Sequence, residues 1–153
     1  MIRWSHAQKF DLSLIEIMPM GQTDISRSKQ YVPMTTAKDL LAEQFDLTPI
    51  SAKDNLGGPA RYSYVAETGG RIGFISPLTN NFCAGCNRVR LTCTGRIYMC
   101  LGQADHIDLR KTLREDGNID TEIAKAVNLK PEAHDFTISD TPNLSRHMSV
   151  TGG

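Results

Sequence analysis

Apolar and polar positions alternate with two different periods along this chain, and the switches between them outline its elements. Asp11-Leu12-Ser13-Leu14-Ile15-Glu16-Ile17 is a compact run of Leu and β-branched Ile closed by Pro19-Met20-Gly21, which predicts a buried strand. Thr36 stands three positions before Asp39 in a capping-box-like spacing, and Ala37, Leu40, Leu41 and Phe45 recur at helical intervals. One amphipathic helix is therefore expected near residues 36–45. Gly57-Gly58-Pro59 leads into Arg61 to Ala66, and Thr68-Gly69-Gly70 separates that run from Arg71 to Ser76, the pattern of a β-hairpin. A second hairpin is predicted over residues 88–101, where Thr94-Gly95 lies between two strand-like runs. Leu109 and Leu113 mark a short helix, and Ile119, Ile123, Ala124 and Val127 mark another that should stop before Pro131. Asp140-Thr141-Pro142-Asn143 and the terminal Gly152-Gly153 offer nothing to pack, so the tail reads as a loop, flexible or held by a ligand site.

Strand, helix, two hairpins and helices make a mixed α/β (α+β) order that is unusual for an autonomous domain beginning almost directly on a buried strand. A chain opening in mid-fold exposes a strand edge and an apolar face that small domains usually cover, so a C-terminal fragment is expected.

Composition narrows the function. The 153 residues carry 17 Lys+Arg against 17 Asp+Glu, with 40% hydrophobic and 22% charged residues, as in a folded domain or part of one. A formal charge of zero supplies no field for non-specific nucleic-acid binding, which points to a small or local ligand. No apolar stretch approaches the roughly 20 residues of a membrane span. The first residues lack the basic-then-apolar order of a secretory signal, so a cytoplasmic location is expected, where four cysteines suggest metal binding rather than disulfides.

Cys83-Ala84-Gly85-Cys86 is a Cys-x2-Cys knuckle, in which a tight turn, with Gly85 permitting its backbone geometry, converges two sulfurs on one centre. Folding at Thr94-Gly95 returns Cys100 towards Cys86. If residues 88–93 form a strand, Arg88, Arg90 and Thr92 share one face and Val89, Leu91 and Cys93 the other, which places Cys93 as a small buried hydrophobe far from the knuckle. A closed structural zinc site would need Cys93 or His106 beside Cys83, Cys86 and Cys100, whereas a cluster held by three cysteines leaves one iron open. Arg88 and Arg90, about 7 Å apart on one strand face, match phosphate oxygens and favour the cluster. The competing reading is a small zinc-binding interaction module using all four cysteines.

At Asn81-Phe82-Cys83-Ala84-Gly85-Cys86-Asn87-Arg88-Val89-Arg90-Leu91-Thr92 the sequence resembles the C-terminal part of the molybdenum cofactor biosynthesis protein A family of radical SAM enzymes. Leu14 to Gly21, Gly57 to Tyr62, Gly73 to Pro77, Cys100-Leu101 and Met148 to Gly153 extend the likeness across nearly the whole chain. The resemblance implies the end of an incomplete radical SAM barrel over residues 1–50 and a C-terminal iron-sulfur and substrate-binding region over 51–153. It implies a 4Fe-4S cluster on Cys83, Cys86 and Cys100 whose open iron receives the guanine of GTP. It implies GTP contacts from Arg88, Val89 and Arg90, and a place for Met18 beside S-adenosylmethionine. No residue of this chain is implied as catalytic, and Glu16 receives no role.

In that family GTP is converted to (8S)-3',8-cyclo-7,8-dihydroguanosine 5'-triphosphate for molybdenum cofactor biosynthesis. A deoxyadenosyl radical abstracts hydrogen from C3' of the ribose, and the resulting radical closes onto C8 of guanine. The Cys-x3-Cys-x2-Cys motif of the second 4Fe-4S cluster, which cleaves S-adenosylmethionine, is absent from this sequence. The resemblance thus implies the substrate-binding part, dependent on an N-terminal radical SAM half as its partner and inactive alone, with a homodimer possible in the intact enzyme. Ser13 stands where many relatives have arginine; Arg27 or Arg61 is available to compensate, although a solvated surface position is expected for both. The Gly152-Gly153 end resembles a tail that reaches into the active site.

Overall fold

The computed structural model describes residues 1–22, 26–51, 58–80, 82–139 and 144–151. Among them the elements are α1 (Ile2–Ala7), β1 (Leu12–Ile15), α2 (Arg27–Gln30), α3 (Met34–Ala42), β2 (Leu47–Pro49), β3 (Arg61–Val65) and β4 (Gly70–Ile75). They continue with β5 (Arg90–Leu91), β6 (Arg96–Tyr98), β7 (His106–Asp108), α4 (Leu109–Arg114) and α5 (Ile119–Asn128). Two compact units result: Met1–Ile17 with Gln30–Phe82, and Met18–Lys29 with Cys83–Gly153. Packing therefore groups residues 58–80 with the first unit.

The first unit is built on a four-stranded sheet of order β1-β4-β3-β2, in which β1 runs parallel to β4 and the other pairs are antiparallel. Its covered face carries Val65, Ile72 and Phe74, packed with Ile2, Met34 and Phe45 and flanked by Leu12, Leu14 and Leu41. Burying a side chain of this kind contributes about 1.5–3 kcal/mol. The β3–β4 hairpin expected from Thr68-Gly69-Gly70 is present, with Gly69 at φ +67.

The strand expected at residues 11–17 forms, but it is not buried. β1 is an edge strand whose Leu12 and Leu14 face the core while Ile15 stays 54% exposed. Period-2 alternation sends successive side chains to opposite faces, and only one face is covered. The helix begins earlier than the Thr36 signal suggests: Pro33 is the N-cap residue, with φ −56, and no side chain of its own caps it. Met34, Ala37 and Leu41 turn inward, whereas Leu40 is 56% exposed. The chain also opens on α1, not directly on a strand.

In the second unit β5, β6 and β7 form an antiparallel sheet, and Ile97, Met99, Leu109 and Ala126 close its core with Ile107 and Ile119. The predicted second hairpin is there but shorter, pairing Arg90 with Tyr98 and Leu91 with Ile97. Gly95 has φ +79, and a Cβ there would lie 2.7 Å from the Arg110 Cβ, so the turn and the approach of α4 both require glycine. Asp108 caps α4 by accepting from the Lys111 N–H, and Asn118 caps α5 by accepting from the Thr121 N–H, each at 2.9 Å. α5 is rotated from the expected face: Ala126 is fully buried, while Ile123 is 38% and Val127 54% exposed.

The end of the chain is more than a loop. Leu144 makes a parallel bridge with Met20, residues Met148–Thr151 form a 3-10 turn, and Thr151 is buried. Gly57, Asn81, residues 140–143 and Gly152-Gly153 lie outside the described residues.

Candidate metal centre

The knuckle is a 3-10 turn over Cys83–Gly85, closed by the Cys86 N–H donating to the Cys83 carbonyl at 2.9 Å. Gly85 is not among the glycines with positive φ, and a Cβ on it would meet nothing within 4 Å. The turn therefore does not demand glycine, contrary to the sequence expectation. All four cysteines are free thiols.

The β5–β6 register sets the remaining positions. Pairing covers only Arg90–Leu91 and Arg96–Tyr98, so Cys86, four residues before β5, and Cys100, two residues after β6, both lie beyond its open end in the sequence. Cys93 sits at the other end, in the turn closed by the Gly95 N–H on the Thr92 carbonyl at 3.0 Å. From that tip to Cys100 an extended chain covers roughly 15 Å, whereas thiolates on one zinc lie within about 4 Å of each other. Cys93 is exposed, so its reading as a buried small hydrophobe is corrected. A turn residue needs no apolar contact to hold its place.

Only Arg90–Leu91 of the expected 88–93 strand forms, but exposure alternates along the segment, with the cover on the arginine side. Arg88, Arg90 and Thr92 are half-buried, while Val89 is 39% and Leu91 62% exposed.

Cys100 is half-buried and its sulfur accepts the Gly102 N–H at 3.4 Å. Three groups that the sequence reading missed fix this loop. Lys130 Nζ donates to the Met99 carbonyl at 2.9 Å. Arg146 Nη2 donates to the Leu101 and Gln103 carbonyls at 3.1 and 2.7 Å. Gly102 leaves room for Phe136, whose ring would lie 2.7 Å from an added Cβ. Backbone carbonyls as partners leave no signature in a sequence.

Among the described residues, no group of three or more His, Cys, Asp or Glu side chains is gathered to hold a metal ion. The knuckle and Cys100 thus both lie beyond the paired part of the hairpin in the sequence, and their sulfurs are not gathered on one point. His106, the alternative fourth zinc ligand, is exposed, places Nδ1 3.0 Å from the Ala104 carbonyl and packs on Tyr98 with ring centroids 5.0 Å apart. The donor chemistry fits a three-thiolate cluster: three sheltered, reduced thiols, one already accepting a backbone N–H, and two arginines next in sequence to the knuckle.

Met18 is half-buried and its carbonyl accepts the Met20 N–H at 2.9 Å. The following turn is tied by Gly21, at φ +66, whose N–H donates to the Leu144 carbonyl at 2.8 Å. Arg27 is 2% exposed, not solvated: its Nη2 donates to the Met20 carbonyl at 2.8 Å and also to that of Gly21. Arg61 is exposed as expected, and Ser13 is exposed with its Oγ 3.4 Å from the Tyr62 hydroxyl.

Glu16, in the first unit, is a structural carboxylate. Buried to 3% exposure, it accepts the Met34 N–H at 2.8 Å, the Leu78 and Thr79 N–H groups at 2.8 and 3.0 Å, and the Thr79 hydroxyl. Burial pushes its pKa up, but the Thr79 hydroxyl and the three backbone donors outweigh this and hold it below the usual carboxylate value. Tyr31 is raised by burial and by the charge and hydrogen bond of Glu16. By meeting the first N–H of α3, Glu16 caps that helix from a distant segment.

A family model described as Molybdenum Cofactor Synthesis C matches residues 10–136. The chain belongs to that family. Over its whole length it is 54% identical to a GTP 3',8-cyclase of Mesorhizobium japonicum, spanning 47% of that protein. It is 52% identical to GTP 3',8-cyclases of Brucella ovis and Brucella canis, spanning 46% of each. The chain thus spans about half the length of the curated relatives it matches and corresponds to their C-terminal part. Membership of the Molybdenum Cofactor Synthesis C family links it to formation of that cofactor. Among the described residues its architecture is two sheets with few and short helices.

Proposed function

We propose that this chain is the GTP-binding and cluster-binding part of a GTP 3',8-cyclase. Cys83, Cys86 and Cys100 would hold a 4Fe-4S cluster, and Cys93 would not. The observation that supports the reading is the hairpin register, which pairs Arg90 with Tyr98 and Leu91 with Ile97 and leaves Cys93 in the turn, away from the strand ends nearest in sequence to the knuckle and Cys100. The name of the relatives supplies the substrate class.

When bound, the cluster would supply an open iron as a Lewis-acidic seat for the guanine base. The chain's own residues bind and orient. Arg88 and Arg90 present guanidinium groups for the triphosphate, separated by Val89 on the other strand face. Fixing base and phosphates at two points holds C3' of the ribose in place, a positioning effect with no proton transfer by this chain. Met18 would line the S-adenosylmethionine side, on a loop whose Met20 and Gly21 are held by Arg27 and Leu144. β1, an edge strand, would continue into an incomplete radical SAM barrel with an N-terminal half that carries the second cluster. The intact enzyme is read as cytoplasmic and homodimeric; no described helix is long and apolar enough to cross a membrane.

Anaerobic reconstitution tests this reading. It predicts a brown chain absorbing near 400 nm with about four irons, and a change in its electron paramagnetic resonance signal on adding GTP. One tightly held zinc and no iron uptake would favour the interaction-module reading instead.

A further inference from the structure

Arg146 lies close to the C-terminus, where no motif draws attention to it. Its guanidinium rests over the Tyr98 ring, with Cζ 4.2 Å from the centroid. Nη2 grips the Leu101 and Gln103 carbonyls, which flank Gly102, whose N–H donates to the Cys100 sulfur. The backbone that carries Arg146 is itself tied down, because Leu144 bridges Met20 and accepts the Gly21 N–H.

One atom of this arrangement is incomplete. Nη1 is buried and has no hydrogen-bond partner among the described residues. A buried cationic donor without an acceptor is costly, and the neighbouring loop is the one that offers Cys100. A cluster on three thiolates carries net negative charge and accepts N–H bonds at sulfur, the chemistry that Nη1 lacks.

We propose that Arg146 is a positioning residue for Cys100, clamping the loop from which that cysteine presents its sulfur and completing its own hydrogen bonding on the anionic cluster. The proposal rests on the three-cysteine reading. It assigns the C-terminal segment a role in the centre, with Leu144 as its anchor and Arg146 as its contact. Two effects follow. Losing the clamp loosens one of three ligands, and losing the cation removes stabilisation of the more negative, reduced cluster, which lowers its reduction potential.

The test uses the full chain, anaerobically reconstituted with iron and sulfide, as wild type, Arg146→Lys and Arg146→Met. Iron release to a chelator and the midpoint potential are followed, with circular dichroism to check folding. Arg146→Met should release iron about tenfold faster, the effect of one lost charge-assisted hydrogen bond, and show a more negative potential. Arg146→Lys keeps the charge but not the planar fork, so it should release iron faster while holding the wild-type potential. Wild-type release from a folded Arg146→Met overturns the proposal. Should that variant not fold, wild-type release from Arg146→Lys does so. A wild-type chain that takes up no iron instead removes the three-cysteine reading, and this proposal with it.

Discussion

Glu16 and Arg27 show how a charged side chain is placed by backbone partners. Glu16 gathers N–H groups from Met34, Leu78 and Thr79; Arg27 gathers the carbonyls of Met20 and Gly21. Neither pairing is legible in the sequence, where Glu16 closes an apolar run without a role and Arg27 reads as a solvated cation. The folded pKa of Glu16 lies below its ordinary value of 4.5, so its stabilisation is complete above that value and is lost as pH falls through the lower folded one. Glu16→Gln places an amide against buried donors and should cost about 3 kcal/mol at neutral pH. In denaturant titrations that cost should shrink below the usual carboxylate pKa; a pH-independent difference would mean that the ionised carboxylate is not what the donors hold.

Turn chemistry made the two hairpins readable, because Gly69 and Gly95 occupy left-handed backbone that few other residues adopt. The short elements were not readable. β2 and β7 have three residues each, too few for a period to emerge, and α1 buries only Ile2 and Ser5. The face of α5 was misjudged because its contact with the sheet is made by Ala126, a small residue, while the larger Ile123 and Val127 turn outward. Gly95→Ala should destabilise by about 1–3 kcal/mol through strain and the clash with Arg110, and Asn118→Ala by about 1 kcal/mol through loss of the α5 cap. Thermal melts of both variants check this, and a neutral Gly95→Ala would contradict the turn geometry. The knuckle turn and the β5–β6 hairpin were legible as spacing plus turn; the clamps by Lys130 and Arg146 were not, since they act on carbonyls.

At the scale of the whole molecule, the chain spans about half of its curated relatives and contains one Cys-x2-Cys knuckle but no Cys-x3-Cys-x2-Cys motif. Supplied with GTP, S-adenosylmethionine and a reductant, the reconstituted chain alone should form neither 5'-deoxyadenosine nor cyclised GTP by chromatography. Either product above a no-protein control would reveal a radical-generating site within these residues. The central claim is narrower: three named cysteines hold a cluster and the fourth does not. Iron and acid-labile sulfide per chain, measured after anaerobic reconstitution of the four single Cys→Ser variants, test it most directly. Cys93→Ser should retain about four irons, whereas Cys83→Ser, Cys86→Ser and Cys100→Ser should each lose most of them. Loss of iron in Cys93→Ser with retention in Cys100→Ser would contradict the account.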